Sequence, residues 1–164
     1  MSFWWACYND QYEDAIISLK ALEEKDIDIN TQKKEGCTAL ILALKNNCPK
    51  LAMFLVEHGA DVNATDENGQ SALYYCADKG YKEISEILLQ HEANVGLDSY
   101  HNRTPLHKAC LGNHDELVLT FLIHGSDMNL KDRCGDTPLD DAKSNGYENI
   151  QNLLKTWKTS DIYK

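Results

Sequence analysis

Apolar side chains recur three and four positions apart in four stretches of the chain: Leu51, Phe54 and Leu55; Ile84, Ile87 and Leu88; Leu117, Val118, Phe121 and Leu122; Ile150, Leu153 and Leu154. Residues at that spacing share one side of a helix, so each stretch predicts a helix with a single apolar face. A shorter helix is predicted ahead of each. Thr104-Pro105 and Thr137-Pro138 offer a hydroxyl that accepts from an orphan backbone N–H, then a proline at the first helical position, where its missing donor costs nothing. Thr38-Ala39 and Ser71-Ala72 keep the cap without the proline, and Cys48-Pro49 opens one of the second helices. The short helices are expected to stop at Gly80, Gly112 or Gly146, where a left-handed terminator is wanted. Gly59 and Gly125 close two of the second helices; Glu92 stands where the third glycine is expected, which predicts a frayed or differently capped end. Polar hairpin tips centre on Gly36, Gly69, Asn102 and Gly135, asparagine being the next-best residue to glycine at positive φ.

The pattern has a fixed interval. Thr38, Ser71, Thr104 and Thr137 are successively 33 residues apart, and so are Asp28, Asp61, Asn94 and Asp127. Two independent landmarks sharing one period indicate stacked repeats. The clearest copy runs from Asn102 to Asn129. In it Thr104-Pro105-Leu106-His107-Lys108-Ala109 resembles the T-P-L-H-x-A signature of the ankyrin repeat, and Gly125-Ser126-Asp127-Met128-Asn129 resembles that family's closing G-A-D-V-N. The resemblance covers about residues 3 to 158. It implies an all-α fold, an ankyrin-repeat α-solenoid of five helix-turn-helix repeats with β-hairpin tips, in a single domain over residues 1–164. The units are 1–30 (N-terminal cap), 31–65, 66–98, 99–131 and 132–158 (C-terminal cap), with a polar tail at 159–164.

Some positions depart from the family pattern. Tyr74 and Asp140 occupy the histidine site, and tyrosine hydroxyls or water are expected to replace the histidine's bonds at Tyr74. The first unit lacks its leading hairpin. Phe3 to Tyr8 and Tyr12 to Leu22 are its expected helices, with Ile16, Leu19 and Leu22 facing inward and Glu13, Asp14, Glu23 and Glu24 on the solvated outer face that an end repeat needs. Trp4 and Trp5 are adjacent, so both cannot enter one core, and one is expected to be partly exposed.

A formal charge of −10 opposes a broad phosphate-binding role, and nucleic acid is not an expected partner. Residues 1–30 and 66–98 each carry −5, so a basic partner would be steered toward those faces; the same acids also serve solubility. Six cysteines in a chain without a recognisable leader or a membrane-length apolar run predict reduced thiols and a cytoplasmic chain, with the nucleus also open. Cys76 and Cys110 fit small buried positions.

The resemblance implies a non-catalytic protein-protein interaction module, an adaptor or an inhibitor, that binds a protein partner in a concave groove lined by the tips and the exposed side of the first helices. Carried over by position, the groove holds Trp5, Tyr8, Lys34, Glu67, Tyr75, Asp78, Lys79, Tyr100, His101, Arg103, Leu111 and Arg133, with Lys45, Lys108, Asp136, Asp141 and Ser144 among their neighbours. Tyr75, Tyr100 and Arg103 are the central expectation, because interface energy concentrates in tyrosine, tryptophan and arginine. No cofactor, metal or membrane is expected, and the chain reads as a monomer with both caps. Two alternatives come from particular residues. His107, Cys110 and His114 have a loose H-x2-C-x3-H spacing but lack a second Cys/His pair, so the histidine's structural role outweighs a metal or thiol site. Asn30 and Asn63 resemble the asparagines that an oxygen-sensing asparaginyl hydroxylase modifies in ankyrin repeats; otherwise they organise the turn.

Overall fold

The computed structural model describes residues 13–14, 16–17, 28–32 and 34–157, with the side chain of Lys34 left aside. Among these, the chain forms eight α-helices: α1 (Ala39–Lys45), α2 (Pro49–Glu57), α3 (Ala72–Lys79), α4 (Lys82–Gln90), α5 (Pro105–Leu111), α6 (Asp115–Ile123), α7 (Pro138–Ser144) and α8 (Glu148–Thr156). The expectations for Trp4, Trp5, Tyr8, Leu19 and Leu22 lie outside the described residues.

The predicted caps start the odd-numbered helices. The hydroxyls of Thr38, Ser71, Thr104 and Thr137 accept from the backbone N–H of Ile41, Tyr74, His107 and Asp140 at 3.3–3.4 Å. Thr104 and Thr137 carry reciprocal boxes: the His107 imidazole and the Asp140 carboxylate reach back to the cap's own N–H, at 3.2 Å in each case. An aspartate at the histidine site therefore keeps the cap. The Tyr74 hydroxyl makes no hydrogen bond in the histidine's place among the described residues; its ring lies edge-on to Tyr75 and beneath the Lys108 ammonium, 5.6 Å from the centroid.

Two terminators differ from expectation. Gly112 closes α5 in a right-handed conformation (φ −83°), and the left-handed residue is Asn113 (φ 58°). The left-handed positions are thus Asn47, Gly80, Asn113 and Gly146, again 33 residues apart. Gly112 is small for another reason. A Cβ there would stand 2.5 Å from the His114 ring, which also lies against Gly80. Glu92 is neither frayed nor differently capped: it takes φ 63°, the turn that Gly59 and Gly125 make without a side-chain penalty.

Each helix packs on its partner in the unit and on the same helix of the next unit: α1 on α3, α3 on α5, α5 on α7, and likewise α2, α4, α6 and α8. Leu40, Leu44, Leu51, Leu55, Leu73, Leu88, Leu106, Leu117, Phe121, Ile150 and Leu154 lie in one continuous apolar cluster between the two rows. The fold is an all-α repeat solenoid. The tips are turns rather than two-stranded hairpins. Each is closed by a bond from the N–H of Asp66, Ser99 or Asp132 to the carbonyl of Gln70, Arg103 or Asp136 and by a return bond from Gly69, Asn102 or Gly135 to the carbonyl of that first residue. One isolated bridge, Thr65 to Ser71, is the remnant of a ladder among the described residues.

Candidate interaction surface

Successive tips are joined by backbone. The N–H of Glu67 donates to the Glu35 carbonyl (3.0 Å), that of Tyr100 to Asn68 (2.9 Å) and that of Arg133 to His101 (3.0 Å). These bonds set the tip side chains in a row at fixed spacing, which is what a preorganised recognition surface requires.

Inside two of the tips a buried aspartate organises the turn. Asp66 Oδ1 accepts from the N–H groups of Asn68 and Gln70, both at 2.9 Å, and Oδ2 accepts the Tyr75 hydroxyl at 2.7 Å. Asp132 Oδ1 accepts from Cys134 (2.8 Å) and Asp136 (3.1 Å), and Oδ2 from Arg103 Nε at 2.9 Å. Burial works against the Asp132 charge, yet the Arg103 bond and the two backbone donors together hold its carboxyl below the usual range. The equivalent residue between them, Ser99, is buried, and its hydroxyl has no hydrogen-bond partner among the described residues. Neither aspartate is among the residues expected from the sequence, although applying the 33-residue interval to the tips aligns 66, 99 and 132.

The anticipated groove residues fall into two groups. Glu67, Asp78, Lys79, Tyr100, His101 and Arg133 are exposed, and Leu111 is half-buried. Tyr100 is 62% exposed, its ring resting over Gly69. Tyr75 and Arg103 are tied into the stack. Tyr75 is buried, and burial together with its bond to Asp66 pushes its hydroxyl far above the ordinary value. Arg103 joins the fourth unit to the fifth through Asp132. Asp78 pairs with Lys108 at 2.5 Å and Lys45 with Glu35 at 2.5 Å. Lys34 is placed in a short 3-10 turn, Lys34–Gly36. Trp5 and Tyr8 are outside the described residues.

His107, Cys110 and His114 are not gathered. His107 Nδ1 accepts from the Thr104 N–H, which leaves Nε2 to donate to the Asp136 carbonyl at 3.2 Å, and burial lowers its pKa. Cys110 is fully buried and His114 covers the two glycines. Burial pushes the thiols of Cys76 and Cys110 up to about 12, so both are inert packing groups. Asp132, Cys134 and Asp136 do bring ligand atoms within 4.8 Å of one another, but both Asp132 oxygens are already engaged in the turn. Asn30 and Asn63 link units. Asn63 Oδ1 accepts the Asn94 N–H (2.7 Å) and Nδ2 donates to the Glu92 carbonyl (3.2 Å). Asn30 makes the same pair with Asp61 (2.7 Å) and Gly59 (3.4 Å). The next residue in that series is Gly96, which has no side chain to continue it.

Among the described residues no helix is long and apolar enough to cross a membrane. Two family models, both for ankyrin repeats, match the chain: one built from three copies over residues 3–99 and one from many copies over residues 88–142. No curated protein matches it.

Proposed function

Because the chain belongs to the ankyrin-repeat family, whose repeats are generally protein–protein interaction modules, we propose that it is a non-catalytic recognition protein that seats a protein partner along the row of tips. The observation that carries this reading is Tyr100, an aromatic side chain left 62% exposed on a tip whose backbone is anchored to the tip before it. A held tyrosine contributes contact area with little ordering cost, and tyrosine and arginine are the residue types that dominate interface energy. Arg133 and His101 stand beside it on the neighbouring tip and on its own. Arg103 and Tyr75 support the surface from below rather than meeting the partner first. The partner would be bridged to something else or masked, and the acidic 66–98 unit favours one with basic residues.

The test compares capture by the wild type, by Tyr100→Ala/Arg133→Ala, and by Leu119→Ser/Ile123→Ser, which alters exposed residues on the second helix α6. A partner held by the wild type and the α6 variant but lost by the tip variant supports the reading. Loss on the α6 change with retention by the tip variant refutes it.

A further inference from the structure

We propose that the tips of the third, fourth and fifth units read a partner segment in the polyproline II conformation, one that carries an aromatic side chain with a basic residue three positions to one side and an acidic residue three positions to the other. The inference rests on the reading of the tips as the partner's surface, and it names the chemistry and the spacing that this surface takes.

Glu67, Tyr100 and Arg133 hold the same place on successive tips, each directly after residue 66, 99 or 132 and 33 residues from the next. The backbone N–H of each donates to the tip before it, to the carbonyls of Glu35, Asn68 and His101 at 2.9–3.0 Å. Equivalent backbone with equivalent bonds sets the three side chains in one line. All three are exposed, and none enters a side-chain hydrogen bond or an ion pair among the described residues. The Tyr100 ring rests against Gly69 on the third tip and still exposes 62% of the residue, so it offers a face that is already ordered. Charge changes sign across it. The exposed acids Glu67 and Asp98 come before Tyr100 along the row, and the exposed bases Lys131 and Arg133 come after it. Asp66 and Asp132 are spent inside their turns, and Asp136 makes no ion pair with Arg133.

A segment that meets this line must bring a positive group to Glu67, an aromatic face to Tyr100 and a negative group to Arg133, which is what opposite-charge pairing around a central anchor requires. The spacing selects its conformation. The first helices α3, α5 and α7 pack directly on one another, and packed helices lie about 8–10 Å apart, so the tips they carry repeat at that step. A polyproline II segment rises about 3.1 Å per residue with three residues per turn, which returns every third side chain to the same side about 9 Å further on. A β-strand turns residues three apart to opposite faces. A helix would match only at a seven-residue interval, and its apolar stripe would find one aromatic between two charges. A proline-rich segment also has little order left to lose on reaching an aromatic surface.

The test titrates the full chain with capped peptides at constant low ionic strength and follows backbone amide shifts by NMR. The peptides are Arg-Pro-Pro-Trp-Pro-Pro-Glu, the same sequence with glutamate at both ends, the same with arginine at both ends, and a shortened Arg-Pro-Trp-Pro-Glu. The first is expected to bind about threefold tighter than each of the others, the size of effect that one exposed ion pair supplies. Glu67→Lys should transfer the preference to the peptide with two glutamates, and Tyr100→Ala should weaken all four about tenfold. Thermal unfolding confirms that both variants, altered at exposed sites, are folded. Absence of binding, equal binding of the peptides, a preference that Glu67→Lys leaves unchanged, or indifference to Tyr100→Ala overturns the proposal. If the charge preference fails while Tyr100→Ala still weakens every peptide, the tips remain the partner's surface and only the proposed order is lost. Failure of the surface itself shows separately, as capture lost on the α6 change and kept by the tip variant.

Discussion

Asp141→Asn exchanges a buried charge for an amide of nearly the same shape, and the consequence for stability can be worked from its surroundings. Burial raises the carboxyl from 3.8 to about 6; Arg103 opposes the rise and Asp132, Asp136 and Asp140 add to it. The folded chain therefore holds this proton more tightly than the unfolded one. Stability from the protonated form is complete below 3.8 and is lost as the pH rises through about 6. A displacement of that size is worth roughly 3 kcal/mol at pH 7, an upper figure because the amide brings its own buried polar atoms that need partners. The variant is expected to be more stable than the wild type by about 1–3 kcal/mol at pH 7, with the gap closing toward pH 4. Urea unfolding at pH 4, 5, 6 and 7 measures it, and taking the difference between the two proteins cancels every other titrating group. A variant that is less stable at pH 7, by an amount that does not change between pH 4 and 7, would show that the ionised Asp141 is well paired with Arg103.

Other expectations follow from single residues. Glu92→Gly should raise stability by about 0.5–1 kcal/mol in thermal unfolding, because glycine takes the left-handed turn without a Cβ penalty; a lower melting temperature would contradict this. Asn63→Ala should cost about 1–2 kcal/mol by removing two bonds between units, and Gly96→Asn should recover part of such a link between the third and fourth units. Both are measured by urea unfolding, and an unchanged midpoint for Asn63→Ala would refute the link. His107 is held neutral by burial, so its stabilisation is present above its ordinary 6.5 and is lost as the pH falls below it; a His107→Gln variant, though less stable at pH 7.5, should lose less than the wild type between pH 6.5 and 5. Iodoacetamide should label Cys134 in the native state while sparing Cys76 and Cys110, as mass spectrometry of the tryptic peptides would report.

Much of the architecture was legible before any coordinates. Helix spacing, hydroxyl caps and a 33-residue interval are local signals, and in a solenoid each unit contacts mainly its neighbours, so repetition in sequence becomes repetition in space. That is why Thr38, Ser71, Thr104 and Thr137 behave as caps and why Asp140 can stand where His107 does. Terminators were less legible. Glycine usually signals a left-handed stop, but the size of Gly112 is set by the His114 ring, a contact that sequence spacing does not announce.

The candidate surface was the least legible, because exposure and pairing are properties of neighbours. Position alone put Tyr75, Arg103 and Tyr100 in one class. The stack separated them by supplying Asp66 to the first and Asp132 to the second while giving the third no hydrogen-bond partner for its side chain among the described residues. Asp141 was one acidic residue among several along the chain; only the packing of α7 against the fourth unit made it a buried carboxylate, one oxygen of which has no hydrogen-bond partner among the described residues. The chain by itself thus determined the helices, their caps and the order of the units, since these depend on residues close in sequence. The tertiary structure decided which polar groups are spent inside the molecule and which are left for another, since that depends on the side chains a neighbouring unit brings within about 3 Å.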